Sequence, residues 1–116
     1  MLFRSASKVM PNYNVMGVAK AALETSVKYL SVDLGDQNVR VNAISAGTMR
    51  TIAGAAIANA RNVFNYTSEN SSLKRNVNLD ELGNSALYLV SDLSSAITGE
   101  IHYVDCGFNI VGMPKD

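Results

Sequence analysis

The sequence predicts an α/β fold, the second half of a doubly wound parallel sheet, and two observations predict it. Apolar residues recur at helical spacing in two segments, and a short β-branched segment follows each of them. Such alternation is typical of parallel strands joined by crossover helices. Only two strands are visible, whereas a complete doubly wound sheet has about six. The chain is therefore expected to be the back half of a larger sheet.

The first helix and the first strand lie in the amino-terminal half. A helix is predicted from about Val15 to Leu34, and Gly35 is a plausible stop. Lys20 and Glu24 lie mostly off its apolar stripe. The members of that stripe recur every three, four or five positions: Val15, Val18, Ala19, Ala22, Val27, Leu30 and Leu34. Residues 39–45 (VRVNAIS) then predict a strand.

The carboxyl-terminal half is predicted to hold an irregular insert, a helix and a strand. Within the insert, residues 52–64 (IAGAAIANARNVF) favour a short helix, and residues 66–72 (YTSENSS) a polar loop. A helix is expected from about Asp80 to Leu93, because Asn78 lies three residues before Glu81 and resembles a capping box. Residues 100–104 (EIHYV) predict the last strand.

Composition excludes several function classes. The 116 residues, 47% hydrophobic and 17% charged, suit one globular domain or a piece of one. Ten basic residues balance ten acidic ones, so no net field points to nucleic acid or an anionic membrane. The single cysteine excludes an intramolecular disulfide, and neither a membrane span nor a signal peptide is visible. A soluble cytoplasmic protein is expected.

Tyr13 and Lys20 are the residues best suited to chemistry. They are seven positions apart, so a regular helix would place them on one face about 10 Å apart along its axis. A phenol can donate a hydrogen bond to an oxyanion, and an ammonium suits vicinal ribose hydroxyls. From the spacing alone, however, a structural helix with a solvated lysine explains the pair better.

Three strings add a resemblance to a known family. Residues 11–24 (PNYNVMGVAKAALE) closely resemble the active-site helix of the bacterial enoyl-acyl-carrier-protein reductases, which belong to the short-chain dehydrogenase/reductase superfamily. Residues 40–47 (RVNAISAG) resemble the next strand of that family, and residues 99–105 (GEIHYVD) its last strand. The resemblance implies a Rossmann-like fold. It also implies that residues 1–116 are a partial reductase domain without the dinucleotide-binding half, since no GxGxxG loop is present.

The resemblance implies that a trans-2-enoyl thioester on acyl carrier protein is reduced with NADH in fatty-acid biosynthesis. Hydride would attack the β-carbon, Tyr13 would donate to the thioester oxygen, and Lys20 would hold the nicotinamide ribose. Tyr13 and Met16 would contact the substrate. The cofactor would be bound by Lys20 and by the segment after the Ala-Gly turn: Met49, Arg50, Thr51, Ile52 and Ala53. Family members are commonly tetramers, and the resemblance implies no metal site.

Spacing and departures from the family pattern leave alternatives open. In typical members of the superfamily, the tyrosine stands at the position of Met16, closer to the lysine. The wider spacing between Tyr13 and Lys20 therefore argues against a third hypothesis, a 3-ketoacyl reductase. Phe3 replaces a second family tyrosine, Thr48 replaces a proline, and Ala60 replaces a phenylalanine of the substrate pocket. The second hypothesis is therefore a non-catalytic remnant, or one half of a split reductase that acts only by association.

Overall fold

The computed structural model describes residues 7–10, 13–50 and 60–113. Within them the helices are α1 (Val15–Asp33), α2 (Ala60–Asn70) and α3 (Leu79–Val90), and the strands are β1 (Ala43–Ala46) and β2 (Ile101–Val104). Short 3₁₀ turns occupy Gly35–Gln37, Asp92–Ser94 and Phe108–Ile110. The two principal helices and the second strand lie close to where the sequence predicts them, whereas the first strand covers only the end of its predicted range.

The two strands form a parallel sheet with a helix on each face. Ala43 pairs with Ile101 and Ala46 with Val104. Lys20 of α1 lines a cleft with Ile101, whereas the ring of Tyr88 in α3 lies 6.3 Å from that of His102. Successive side chains of a strand point to opposite faces, so α1 and α3 cover opposite sides of the sheet. This three-layer arrangement confirms the predicted α/β class and the doubly wound parallel sheet.

The first strand is shorter than predicted because side chains take over its hydrogen bonding. The strand predicted over 39–45 begins only at Ala43. Before it, the guanidinium of Arg40 donates to Ser94 Oγ at 2.9 Å and the amide of Asn42 donates to the carbonyl of Ile97 at 3.0 Å. These bonds hold residues 40–42 against the turn before β2 without a regular ladder. The prediction of a strand over 39–42 is therefore wrong.

The polar loop predicted over residues 66–72 is also wrong, because α2 continues to Asn70. Thr67 is buried, and its one hydroxyl proton is shared between the carbonyl of Val63 at 3.0 Å and Asn76 Oδ1 at 2.8 Å. Asn76 in turn donates to the carbonyl of Phe64 at 2.8 Å. Tertiary hydrogen bonds thus stabilise a helix whose composition alone favours a loop. Most of the Ala-rich stretch, residues 52–59, lies outside the described residues.

The amino terminus of α3 has the predicted capping box. Asn78 Oδ1 accepts from the backbone N–H of Glu81 at 2.9 Å, and Glu81 Oε2 accepts from the N–H of Asn78 at 3.0 Å. Arg75 forms a bidentate ion pair with the same carboxylate, in which Nη1 lies 2.9 Å from Glu81 Oε2 and Nη2 lies 2.6 Å from Glu81 Oε1. The hydrogen bond from Arg75, with that from Asn78, holds the pKa of Glu81 below its ordinary value.

We expect Arg75→Gln to raise the pKa of Glu81. A lowered folded-state pKa contributes stability above the ordinary glutamate value of about 4.3 and loses it as the pH falls through the lowered value. The cap of α3 should therefore fail at higher pH in the variant than in the native chain. Side-chain carbon NMR of Glu81 across the acidic range measures the midpoint. Lys74→Gln, a substitution of a neighbouring exposed residue, should leave the titration midpoint of Glu81 unchanged. Equal midpoints in the native chain and in both variants would refute this account.

Helix α1 carries apolar side chains on more than one side. Of the predicted stripe, Val27 is buried, but Val15 and Val18 expose 80% and 72% of their surface. The half-buried Lys20 and Glu24 instead line the cleft against the sheet. The apolar stripe therefore does not mark a single packed side of the helix. A helix that is apolar on opposite sides is normally covered on both of them.

Candidate functional site

The turn that contains Tyr13 lies toward the carboxyl edge of the sheet. A Cβ placed on Gly99 would lie 2.8 Å from Ser31 Oγ, so the end of α1 lies near the start of β2. Because α1 thus runs antiparallel to the strands, the turn that contains Tyr13 lies toward the edge where β1 ends. Ligands of open α/β sheets bind outside this edge.

Tyr13 precedes α1 instead of belonging to it. Its N–H donates to the carbonyl of Met10 at 3.1 Å, and its own carbonyl accepts from the N–H of Met16 at 3.1 Å. Asn14, between Tyr13 and the helix, has φ 45° and ψ −123°. The separation calculated from helical rise therefore does not apply to Tyr13. Non-glycine residues rarely adopt this backbone conformation, which costs about 1–3 kcal/mol and is often found at functional sites.

Lys20 extends toward the sheet and is half-buried. With Leu23 and Glu24 of α1 it lines a cleft of about 30 Å³ against β1. The sheet side of the cleft is formed by Ala43, Ile44, Ser45 and Ile101. Lys20 is thus less exposed than the solvated lysine that the spacing alone favours. Its side chain therefore borders a narrow cleft beside the strand that ends at the candidate site.

Thr48 is a candidate site residue that sequence reasoning missed. It is 4% exposed, and its Oγ1 has no hydrogen-bond partner among the described residues. A buried hydroxyl without a partner costs about 1–3 kcal/mol, so native structures usually satisfy it. The preceding residue, Gly47, packs so closely on β2 that a Cβ there would lie 2.8 Å from Asp105 Cα. In the sequence, Thr48 stood out only as a departure from a family proline.

The remaining predicted site residues are only partly described. Met49 is half-buried and Met16 exposes 48% of its surface. The guanidinium of Arg50 lies 4.8 Å from the ring centroid of Phe64, a cation–π contact that ties the segment after β1 to α2. Thr51, Ile52 and Ala53 lie outside the described residues, as does Phe3.

A cavity of about 640 Å³ lies beside the turn that contains Tyr13. Met10, whose carbonyl accepts from the N–H of Tyr13, is part of its wall. Tyr66 and Phe108 meet edge to face in the wall, with ring centroids 6.2 Å apart. The other lining residues are Lys8, Val9, Asn62, Val63, Asn109, Val111 and Gly112. The volume and the largely apolar wall are typical of a small-molecule site. No sequence pattern signals the cavity, because three distant segments form it.

The described residues hold no cluster of three or more His, Cys, Asp or Glu side chains that could bind a metal ion. His102 bonds Glu100 Oε1 at 3.0 Å, away from the candidate site residues. Burial raises the pKa of the Cys106 thiol, which makes this cysteine less reactive at neutral pH. No helix in the described part of the chain has the length and apolar character needed to cross a membrane.

The fold and the edge site together define part of a Rossmann-like α/β protein. Comparison with protein families identifies the family within this class. The family model described as enoyl-(acyl carrier protein) reductase matches residues 1–109. The chain belongs to the enoyl-acyl-carrier-protein reductase family.

Individual relatives agree with this assignment. The chain is 58% identical over 114 residues to enoyl-acyl-carrier-protein reductase (NADH) 2 of Rhizobium meliloti (strain 1021), covering 98% of this chain and 42% of the relative. The crystal structure of FabI from Candidatus Liberibacter asiaticus superposes with a TM-score of 0.92 at 58% identity, over 97% of this chain and 44% of that one. The Anaplasma phagocytophilum reductase, solved in complex with NAD, gives a TM-score of 0.88 at 52% identity, over 97% of this chain and 41% of that one. The chain thus spans less than half the length of these relatives.

Proposed function

We propose that this chain is the substrate-reducing part of an NADH-dependent enoyl-acyl-carrier-protein reductase of fatty-acid biosynthesis. The observation that carries the proposal is the grouping at the carboxyl edge of the sheet. There, the strained turn with Tyr13 lies toward the end of β1, where Thr48 is buried, and Lys20 enters the groove beside that strand. Relatives that are 58% and 53% identical are named as NADH-dependent enoyl reductases, which supports the same chemistry here.

The described residues fit a nicotinamide dinucleotide. The Thr48 hydroxyl is a buried donor that needs a partner, and a polar group of the cofactor would supply one. Lys20 would hold the nicotinamide ribose through its ammonium, and Met49 to Ala53 would contact the cofactor through their backbone. When bound, NADH supplies the hydride that the β-carbon of the enoyl group accepts.

The chain's own residues would position and stabilise the acyl group. The phenol of Tyr13 donates a hydrogen bond to the thioester oxygen as negative charge develops on it. Lys20 helps to orient that phenol, and Met16 borders the substrate. The cavity beside Met10 is large and apolar enough for an acyl chain, which α2 would cover. Acyl carrier protein would deliver the substrate, as the names of the relatives imply.

A covalent fusion tests this function. The part of the R. meliloti reductase 2 that this chain does not span is joined ahead of Met1, and NADH oxidation is followed with a crotonyl thioester. We expect turnover at an ordinary enzymatic rate, roughly 1–10³ s⁻¹. The chain alone should bind NADH weakly and show no turnover. A folded fusion that oxidises no NADH, or that prefers a 3-ketoacyl thioester, would contradict the proposal.

The second candidate is a chain that acts only by association, as half of a split reductase or as a non-catalytic remnant. The exposed apolar side chains of α1 favour association of some kind, since such surface is normally covered. In the assembled enzyme this side of α1 would lie between subunits of a homotetramer. The cytoplasm is the compartment we propose, and the single cysteine agrees with it. A fusion that assembles fully but has no reductase activity would favour the remnant.

A further inference from the structure

Asn14 joins the turn that contains Tyr13 to the first residue of helix α1. We propose that Asn14 is a positioning residue for the reduction, and that it acts through the shape of its backbone and not through its side chain. This role rests on the proposed function, because it gives Tyr13 the catalytic part. The shape of the turn itself does not depend on that function.

The backbone around Asn14 forms a tight turn of a type that favours glycine. The carbonyl of Tyr13 accepts from the N–H of Met16 at 3.1 Å, which closes a four-residue turn with Asn14 as its first central residue. The φ of 45° and ψ of −123° at Asn14 are close to the values of about 60° and −120° for this position of a type II′ turn. Glycine is the usual residue there, because it has no Cβ to be strained. Asn14 therefore holds a conformation that its own side chain opposes.

The side chain of Asn14 does not account for this conformation. It is exposed and makes no capping hydrogen bond to α1. Asparagine is one of the few residues besides glycine that tolerate a positive φ. Asn38, beyond the other end of α1, also has a positive φ, but its φ of 58° and ψ of 30° lie in the ordinary left-handed region. What distinguishes Asn14 is therefore the direction that it gives to the chain before α1.

The turn fixes the peptide groups on both sides of Tyr13. The N–H of Tyr13 donates to the carbonyl of Met10 at 3.1 Å, and its carbonyl is held by Met16. The carbonyl of Asn14 accepts from the N–H of Gly17 at 3.0 Å, which joins the turn directly to the start of α1. In an ordinary helical conformation of Asn14, the helix would continue into Tyr13 and the phenol would turn with it. The strained residue thus decides the direction in which Tyr13 leaves the helix.

Two substitutions of Asn14 separate the backbone from the side chain. Asn14→Gly and Asn14→Ala both remove the amide group, but only alanine keeps a Cβ that opposes the turn. In the covalent fusion we expect Asn14→Ala to lower kcat with the crotonyl thioester about ten- to hundredfold, the effect of a small misplacement of a reacting group. Asn14→Gly should stay within about threefold of the parent fusion. The KM for NADH should change little in both, since Lys20 is unaltered. Equal losses in the two variants, or no loss in Asn14→Ala, would overturn the proposal.

Asn38→Ala is the matched control for Asn14→Ala. It removes the same side chain from another position of positive φ, at the far end of α1. Both changes to alanine should lower the urea midpoint of the fusion, because both place a Cβ in a strained conformation. Only Asn14→Ala should lower kcat. A loss of kcat of the same size in Asn38→Ala would show that lower stability alone explains the effect, and would contradict the positioning role.

A double variant tests whether Asn14 acts through Tyr13. Once Tyr13→Phe has removed the phenolic hydroxyl, its direction no longer affects the reaction. Adding Asn14→Ala should then lower kcat by less than about a further twofold, because residues that act as a unit have non-additive effects. A full further loss of about ten- to hundredfold would mean that Asn14 acts independently of Tyr13, against the proposal.

Amide hydrogen exchange keeps the turn separate from the proposed function. The N–H of Met16, which closes the turn, should exchange at least about tenfold faster in Asn14→Ala than in Asn14→Gly. A parent fusion that oxidises no NADH would contradict the proposed function. Faster exchange of Met16 in Asn14→Ala would still support the control of Tyr13 by Asn14, and equal exchange would contradict it. Should Asn14→Ala fail to fold, Asn14→Ser, which also keeps a Cβ and lacks the amide, takes its place in each experiment.

Discussion

Tyr13→Phe should reduce the kcat of the covalent fusion by about 10²–10³, the usual cost of removing one oxyanion donor. The change deletes only the phenolic hydroxyl, so the ring should still pack in the turn before α1. The KM for NADH should change little, because the ammonium of Lys20 and the segment after β1 remain. Steady-state NADH oxidation with a crotonyl thioester measures both constants.

Tyr29→Phe is the matched control for this experiment. Tyr29 lies on α1, exposes 71% of its surface and carries the same hydroxyl away from the candidate site. Its removal should leave kcat within about twofold of the parent, since surface changes away from special features have small effects. Similar rates for Tyr13→Phe and Tyr29→Phe would show that the phenol of Tyr13 plays no part in catalysis.

Gly47→Ala should destabilise the fusion by about 3 kcal/mol. The added Cβ would lie 2.8 Å from Asp105 Cα, 3.1 Å from Asp105 Cβ and 3.3 Å from Val77 Cγ1. The first contact is with backbone, so β1 and β2 would have to separate at the candidate site. Overpacking of this kind typically costs about 1–3 kcal/mol, and the rigid neighbour favours the upper end. Urea denaturation measures the loss in free energy of unfolding.

Gly83→Ala provides the comparison for Gly47→Ala. No atom lies within 4 Å of a Cβ placed on Gly83, which is within α3. Alanine should stabilise the helix there by up to about 1 kcal/mol. The two substitutions add the same methyl group and should therefore change stability in opposite directions. Equal losses would mean that the close contact at Gly47 does not limit packing.

The fold could be predicted from the sequence where local signals and tertiary contacts agree. The capping box of Asn78 and Glu81 is a local pattern, and α3 begins where it indicates. The end of α2 could not be predicted, because its polar residues are held by Asn76 through contacts that composition does not encode. The side of α1 that faces the sheet could not be predicted for a related reason. Periodicity locates apolar side chains but does not identify which of them face the sheet.

The candidate site was predictable only in part. Tyr13 and Lys20 were selected from the sequence, and Lys20 lines a cleft against the strand that ends at the candidate site. The helical argument that linked them does not hold, because the conformation of Asn14 places Tyr13 outside the helix. Thr48 could not be recognised, since its importance lies in burial without a partner. Such a property depends on the packed structure and leaves no spacing pattern.

The single thiol of the chain offers a reporter for the assembly of the site. Cys106 follows β2, and its carbonyl accepts from the N–H of Leu73 at 3.1 Å, so it lies where β2 meets the segment after α2. With one cysteine in 116 residues, a maleimide dye would label one position without further mutagenesis. Because burial raises the pKa of this thiol, labelling should be slow at neutral pH and faster in mild alkali. Fluorescence from that dye would report on the surroundings of the loop where β2 meets the segment after α2.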